Sequence, residues 1–347
     1  HFQHGLRIYT EKDPNGVAAA GNINSNGVIS YMRGDLATAA TMFERARKAK
    51  LRLEPGSKNA AIMTHNVGLI NAERGNYRAA ESYYLEALEL LEELVPGSLE
   101  TTQTLNNLGT VALDQGDLAK AEYYHGRAYE LRRKLVPNSP DLVASLVNLA
   151  SVARYRSDFD KASEYLLEAL EIQQRIAVGS KEHAEILQGL GAVAESRGEL
   201  TLSADYFGKA LALQLEFAAN GLGAAASHAR LGLNLLERQD FDGAAAHLDQ
   251  AAAILSQIAP ATYREARVFH GLAQVSLQQG DTNSAQGFFE KALHALESQH
   301  ARLGGTQESK AESRAKHRSI YQDYIDFLLE VGDEERAFEI LERSRSK

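Results

Sequence analysis

The chain of 347 residues has no cysteine, no tryptophan, only 6 prolines and only 3 methionines. Without cysteine there is no disulfide framework, zinc ribbon, iron–sulfur cluster or cysteine nucleophile on this chain. No apolar run approaches the roughly 18 residues that a spanning helix needs. No charged-then-apolar start resembles a secretory signal. Positive charge is also scarce: 37 Lys and Arg against 46 Asp and Glu leave a net charge of −9. That is the wrong balance for a protein that follows a phosphate backbone, so no nucleic-acid partner is expected. The expectation is a cytoplasmic chain without membrane contact, kept monomeric by its acidic surface. The opening His1-Phe2-Gln3-His4 has no Met and reads as a processed start or a tag remnant.

What is abundant is Ala, Leu and Glu, residues that lose little freedom in a helix. A period organises them. Gly116-Asp117-Leu118 is preceded at steps of 41 residues by Gly75-Asn76-Tyr77 and Gly34-Asp35-Leu36. It is followed at the same step by Ser157-Asp158-Phe159, Gly198-Glu199-Leu200, Gln239-Asp240-Phe241 and Gly280-Asp281-Thr282. An eighth copy, Gly332-Asp333-Glu334, comes after a longer interval of 52. Such self-similarity is the signature of a repeat architecture.

Other columns keep this register. Seven residues before each turn stands a small residue: Gly27, Gly68, Gly109, Ala150, Gly191, Gly232 and Ala273. Five after it come Ala39, Ala80, Ala121, Ala162, Ser203, Ala244 and Ala285, and twelve after it Ala46, Ala87, Ala128, Ala169, Ala210, Ala251 and Ala292. Eight after it stand Met42, Tyr83, Tyr124, Tyr165, Tyr206, His247 and Phe288, read as core filling against the next repeat. These offsets keep the residues near one helix face. Each unit therefore reads as helix A, a tight Gly-Asp turn and helix B. Pro55-Gly56-Ser57, Pro96-Gly97-Ser98 and Pro137-Asn138-Ser139-Pro140 link one unit to the next and supply a Ser cap. One hairpin cannot bury its apolar face alone; stacked neighbours can.

These residues resemble tetratricopeptide repeats: Asn107-Leu108-Gly109, then Gly-Asp, then Ala121, Tyr124 and Ala128. The 41-residue unit is similar to the long repeats of kinesin light chains, and the likeness runs over about residues 20–295. It implies an all-α fold, a right-handed superhelical solenoid of about eight helical hairpins whose groove is lined by A helices. It also implies a protein or peptide partner, with no catalysis and no cofactor. A second likeness lies at the end. Ala337-Phe338 with Glu342-Arg343-Ser344-Arg345 resembles the last repeat before the caspase-like CHAT domain of bacterial repeat–peptidase proteins. It implies that the chain is the partner-sensing region of such a peptidase, whose catalytic His and Cys would follow Lys347. A stand-alone adaptor is the alternative.

The expected segments are an N-terminal stretch 1–19, seven repeats over 20–298, a polar insertion 299–320, and a last atypical hairpin 321–347 leading into a further domain. In such arrays the groove is lined from positions three and two before the small residue and one after it. Asn66, Asn107 and Asn148 form an amide ladder two before it, and each offers donors and an acceptor to a peptide backbone. The alternative role for these amides is to bridge neighbouring helices. His65, Asn106, Thr110, Gln188, Arg230, His270 and Gln274 project from the same side. These columns lack the Lys/Arg set of a carboxylate clamp, so an acidic partner tail is not expected. Tyr321, Tyr324, Arg343 and Arg345 are candidates for coupling to a downstream domain.

Other motifs lack context. Gly221-Leu222-Gly223 joins two helices with no strand before it, and Gly304-Gly305-Thr306 lacks the Gly-Lys-Ser/Thr order of a phosphate loop. The histidines form no His-x-x-x-His pair, so no metal site is expected.

Overall fold

The computed structural model describes residues 16–303 and 318–345. All sixteen elements among them are helices, and the chain divides into two compact units, His1–Ile176 and Ala177–Lys347. Unit 1 holds four hairpins: α1 (Val17–Met32) with α2 (Leu36–Leu53), α3 (Lys58–Glu73) with α4 (Tyr77–Leu94), α5 (Leu99–Asp114) with α6 (Leu118–Leu135), and α7 (Pro140–Tyr155) with α8 (Phe159–Ile176). Unit 2 holds α9 (Lys181–Ser196) with α10 (Leu200–Ala218), α11 (Leu222–Glu237) with α12 (Phe241–Ile258), α13 (Tyr263–Gln278) with α14 (Thr282–Leu303), and α15 (Arg318–Glu330) with α16 (Glu334–Arg345). Odd helices are the A helices and even ones the B helices. Helix thus occupies both borders of the expected 299–320 insertion, and residues 304–317 lie outside the described residues, as do His1 and His4.

The turns form because two residues divide the work. Gly34, Gly75, Gly116, Gly198, Gly280 and Gly332 adopt φ between 74° and 81°, a region glycine enters without a Cβ penalty. In six of the eight turns the Asp that follows then caps helix B, whereas Asn76 and Glu199 make no such bond. The Asp35, Asp117 and Asp240 side chains accept the amide three residues on, as do those of Asp158, Asp281 and Asp333. Five A helices start on a side-chain cap: Ser57, Ser98, Ser139, Ser180 and Thr262 accept the amide three residues later, whereas α1 and α11 start after Gly16 and Gly221, which have no side chain to do so.

The small columns are fully buried in both units. The bulky column facing them is not the expected one. Tyr83, Tyr124, Tyr165 and Tyr206 are only half-buried. The next residue along, nine after the turn, is the buried one: Phe43, Tyr84, His125, Leu166, Phe207, Leu248 and Phe289. The reason is angular. Between flanking small residues at five and twelve, a side chain at nine points at the A helix, whereas one at eight is rotated about 100° toward the rim. The ring of Tyr84 lies on Gly68, and that of Phe207 on Gly191; a Cβ on either glycine would meet the ring at 2.8 and 2.7 Å.

Polar clips tie hairpin to hairpin. Buried Arg132 at the end of α6 donates to Ser145 Oγ at 2.8 Å and to the Asp141 carbonyl at 3.0 Å, fixing the start of α7. Lys120 meets Glu81 at 2.8 Å and Lys161 meets Glu122 at 3.1 Å. These B-helix pairs are exposed and contribute little to stability.

Candidate partner-binding face

In unit 1 the ladder amides form a zipper with a fixed register. Asn66 Nδ2 donates to Asn24 Oδ1 at 2.9 Å, and Asn148 Nδ2 donates to Asn106 Oδ1 at 2.8 Å. Asn107 Nδ2 reaches His65 Nε2 and the Tyr84 hydroxyl, both at 3.3 Å. Each rung therefore joins a position two before the small residue to one three before it in the previous repeat. This is the bridging role for these amides, and it uses only their Nδ2 groups. The three Oδ1 atoms accept no hydrogen bond among the described residues, and the three side chains are half-buried.

His65 is buried and does not line an open surface. The Thr104 hydroxyl donates to the Glu100 carbonyl at 3.0 Å, so it accepts from His65 Nδ1–H, also at 3.0 Å. His65 Nε2 is then the acceptor for Asn107, which requires the neutral ring. Burial enforces that state and holds its pKa down to about 4. Burial also pushes the Tyr84 hydroxyl above its ordinary range. Asn106 is half-buried, and Thr110 is exposed with its hydroxyl donated to the Asn106 carbonyl at 3.2 Å.

Unit 2 carries a different face. Gln188 Nε2 donates to Ser227 Oγ at 2.8 Å. Arg230 Nη1 pairs with Glu195 Oε2 at 2.5 Å. His270 Nε2 lies 2.7 Å from Asp323 Oδ2, and Gln274 Nε2 donates to the same oxygen at 3.1 Å. His270 and Gln274 thus hold the last hairpin instead of standing open. Desolvation lowers the His270 pKa, opposed by Asp323.

The four coupling candidates also have partners. Arg343 binds Glu297 through Nε at 3.2 Å and Nη2 at 2.8 Å, and the Tyr321 hydroxyl reaches Glu297 at 3.4 Å. The Tyr324 hydroxyl reaches Glu290 at 3.4 Å, beside Arg336 at 2.6 Å. Two glutamates of α14 therefore hold α15 and α16. Arg345 pairs at 3.7 Å with Glu342 of its own helix.

Sequence reasoning missed several members of this face. Asn24 stands three before Gly27, so the period itself could have named it. Thr104 and Ser227 both stand five before their small residue and share that signal. Arg267 stands six before Ala273, outside the columns considered. Asp323 lies within the 52-residue interval, nine before Gly332 as Asn66 is nine before Gly75, so counting back from the eighth turn could have named it.

No group of three His, Asp or Glu that could hold a metal occurs among the described residues, and no helix there is long and apolar enough to cross a membrane. No curated protein matches the sequence. Among solved structures, the chain is similar to BtubC (BKLC) from P. vanneervenii, at 23% identity over 64% of this chain and 90% of that one, with a TM-score of 0.55. A signal-transduction ATPase with a tetratricopeptide repeat sensor from Pyrococcus horikoshii aligns over 99% of this chain and 51% of its own, at 14% identity and a TM-score of 0.66. A Rap protein complexed with competence and sporulation factor aligns over 99% and 94%, at 17% identity and a TM-score of 0.57. At these identities the likeness is one of fold. The tetratricopeptide repeat model matches residues 17–93, 100–175 and 141–216, more than half of the sequence. With the hairpins, capped turns and small-residue columns described above, that match makes the chain a member of the tetratricopeptide repeat family.

Proposed function

We propose that the protein is a non-catalytic scaffold that holds an extended segment of a partner protein on the A-helix face of unit 1. The observation that carries this reading is the row of Asn66, Asn107 and Asn148 Oδ1 atoms. Their Nδ2 groups are used within the fold, while the oxygens stay accessible at one per repeat. Zippering fixes where each oxygen lies, so little order has to be bought on binding. Packed helices stand ~8–10 Å apart. A polyproline II strand advances ~9 Å per three-residue turn, so it can present one backbone N–H to each rung. Recognition of this kind reads the backbone and leaves partner identity to neighbouring side chains.

The test is the triple replacement of Asn66, Asn107 and Asn148 by Ala, followed for both peptide binding and melting temperature. Binding lost well beyond the loss of stability supports the scaffold reading. Parallel loss of both would leave the ladder a purely structural device.

A more specific reading places this scaffold as the partner-sensing region of a bacterial caspase-like peptidase. Its support is the last hairpin, clamped by Glu290 and Glu297 to α14, through which a shift of α14 would carry to α16. Expression with the natural region downstream of Lys347, assayed for peptidase activity with and without partner, tests it. A downstream region with no peptidase chemistry would end this reading and favour the stand-alone adaptor.

A further inference from the structure

In the sixth repeat, one slot of the packing scheme is filled by a pair of histidines. His228 of α11 stands four before Gly232, and His247 of α12 stands eight after the turn. No other repeat places a histidine at either position. The seventh fills them with Phe269 and Phe288, whose rings stack with centroids 6.3 Å apart, and the third with Leu105 and Tyr124, which join one apolar cluster. His228 and His247 meet in the same way, with ring centroids 5.1 Å apart and planes tilted by 43°. Their Nδ1 atoms lie 2.9 Å apart, and both rings are only half-buried. Two imidazoles in place of two apolar side chains give up burial for one hydrogen bond, so packing does not account for the pair. Desolvation lowers both pKa values, aided at His228 by His247 and opposed at His247 by Asp240, so both rings are uncharged at neutral pH.

We propose that His228 and His247 form a two-point site for a divalent transition-metal ion that prefers square-planar or tetragonal coordination, Cu(II) or Ni(II). The spacing carries the choice of metal. Two nitrogens each ~2.0–2.1 Å from one metal stand ~2.9 Å apart at a right angle and ~3.4 Å apart at the tetrahedral angle. The pair has the right-angle separation. Imidazole suits these ions, and solvent access leaves the remaining positions to water. Binding uses both Nδ1 lone pairs. The ring that donates in the free protein moves its proton to Nε2, a tautomer change without change in charge. The ligands stand 19 residues apart on two helices, so no helical histidine spacing announces them. Two ligands also fall short of a three-residue cluster, none of which occurs among the described residues. A bound ion ties α11 to α12 and makes the stability of this hairpin depend on metal. The site is independent of the peptide-binding reading.

Titration of the full chain with CuCl2 tests the site, in a background of His1→Ala and His4→Ala that removes the N-terminal imidazoles. One ion per chain is expected, with a tetragonal electron paramagnetic resonance spectrum split by two nitrogens. The melting temperature should rise with added Cu(II). His228→Phe or His247→Phe should weaken binding about tenfold or more, since a lost ligand costs at least as much as a lost supporting contact. The double variant puts the Phe269–Phe288 arrangement into the sixth repeat, and should melt at one temperature with or without Cu(II). Undiminished binding by that variant would overturn the proposal, as would a chain that takes up no ion. A second measurement needs no substitution in the slot: Cu(II) should broaden the amide signals of α11 and α12 first. Broadening that spares these helices would equally end the proposal.

Discussion

Units 1 and 2 share one packing scheme and differ in the polar face laid over it. Both bury the same small columns and the same bulky column at nine after the turn. Over this common core, unit 1 places amides that pair with amides or a neutral histidine. Unit 2 places ionisable groups that meet across hairpins, the Arg230–Glu195 ion pair and the His270–Asp323 hydrogen bond. Packing columns are constrained by volume, which every repeat must match. Half-buried polar positions need only a partner, so each unit found its own solution.

The largest expected divergence between the units is in acid. His65 and His125 are both buried in unit 1 with pKa values held down to about 4, His65 by burial, His125 by burial and then Arg132. Both His125 ring nitrogens lack a hydrogen-bond partner among the described residues. Unfolded, each ring titrates at 6.5. Because the folded pKa is depressed, the unfolded state binds more protons between these values. The stability these neutral rings allow is complete above pH 6.5 and is lost as pH falls toward 4. Each site can cost on the order of 3 kcal/mol at the acid end. Hydrogen exchange on α3–α6, corrected for intrinsic rate, should therefore lose protection at pH 5 before α9–α12 does. His228 and His247, with Nδ1 atoms 2.9 Å apart in unit 2, are also depressed by desolvation and set a smaller loss there. His125→Phe places at this position the ring that Phe43, Phe207 and Phe289 supply in the same column, and should remove roughly half of the acid sensitivity. Unchanged acid lability in that variant would deny His125 its role.

Substitutions in the shared core should erase the difference between units. Gly68→Val forces a side chain into Tyr84, and Gly232→Val forces one into Leu248, where a Cβ alone would stand 2.8 and 2.6 Å from the facing side chain. Each should cost about 2–3 kcal/mol by overpacking, read as equal drops in denaturant midpoint. A much smaller loss in one unit would show that its hairpin relaxes where the other cannot.

The faces should then separate the units again. Asn107→Leu strands His65 Nε2 and the Tyr84 hydroxyl, and should cost about 1–2 kcal/mol. Arg230→Gln opens a pair that is partly exposed on both sides, and should cost less than about 1 kcal/mol. If the arginine change costs more, the unit 2 pair is a structural clip like the amide rungs of unit 1.

How far the sequence carries is set by the same distinction. The period, the turns, the caps and the three small columns were legible, because glycine, aspartate and alanine are each required there for one local reason. The bulky core column was misplaced by one residue. Tyr83 and Tyr84 are adjacent and chemically identical, so composition could not choose between them; only helix angle does. Asn66, Asn107 and Asn148 were legible as a ladder, with His65 and Asn106 beside them, but the pairing was not, since a spacing of 42 residues between rung and partner appears only once A helices are packed. Asp323 and Arg267 were passed over for different reasons: the first is in register only when counted back from the eighth turn, the second lies off the expected columns.

The smallest effect concerns the two turns that break the glycine rule, one in each unit. Ser157 and Gln239 hold φ of 60° and 64° without being glycine. A Cβ in this left-handed region costs about 1 kcal/mol relative to glycine. Each residue nonetheless keeps the turn, because the acid that follows it caps helix B: Asp158 Oδ1 accepts Lys161 N at 3.2 Å and Asp240 Oδ1 accepts Gly243 N at 3.0 Å. Ser157→Gly and Gln239→Gly should therefore both stabilise, each by about 0.5–1 kcal/mol after the added chain entropy of glycine in the unfolded state is subtracted. Equal gains are expected, since the turn belongs to the scheme the units share. A gain confined to Ser157 would mean that the Gln239 side chain makes up for its strain in a way its backbone does not reveal.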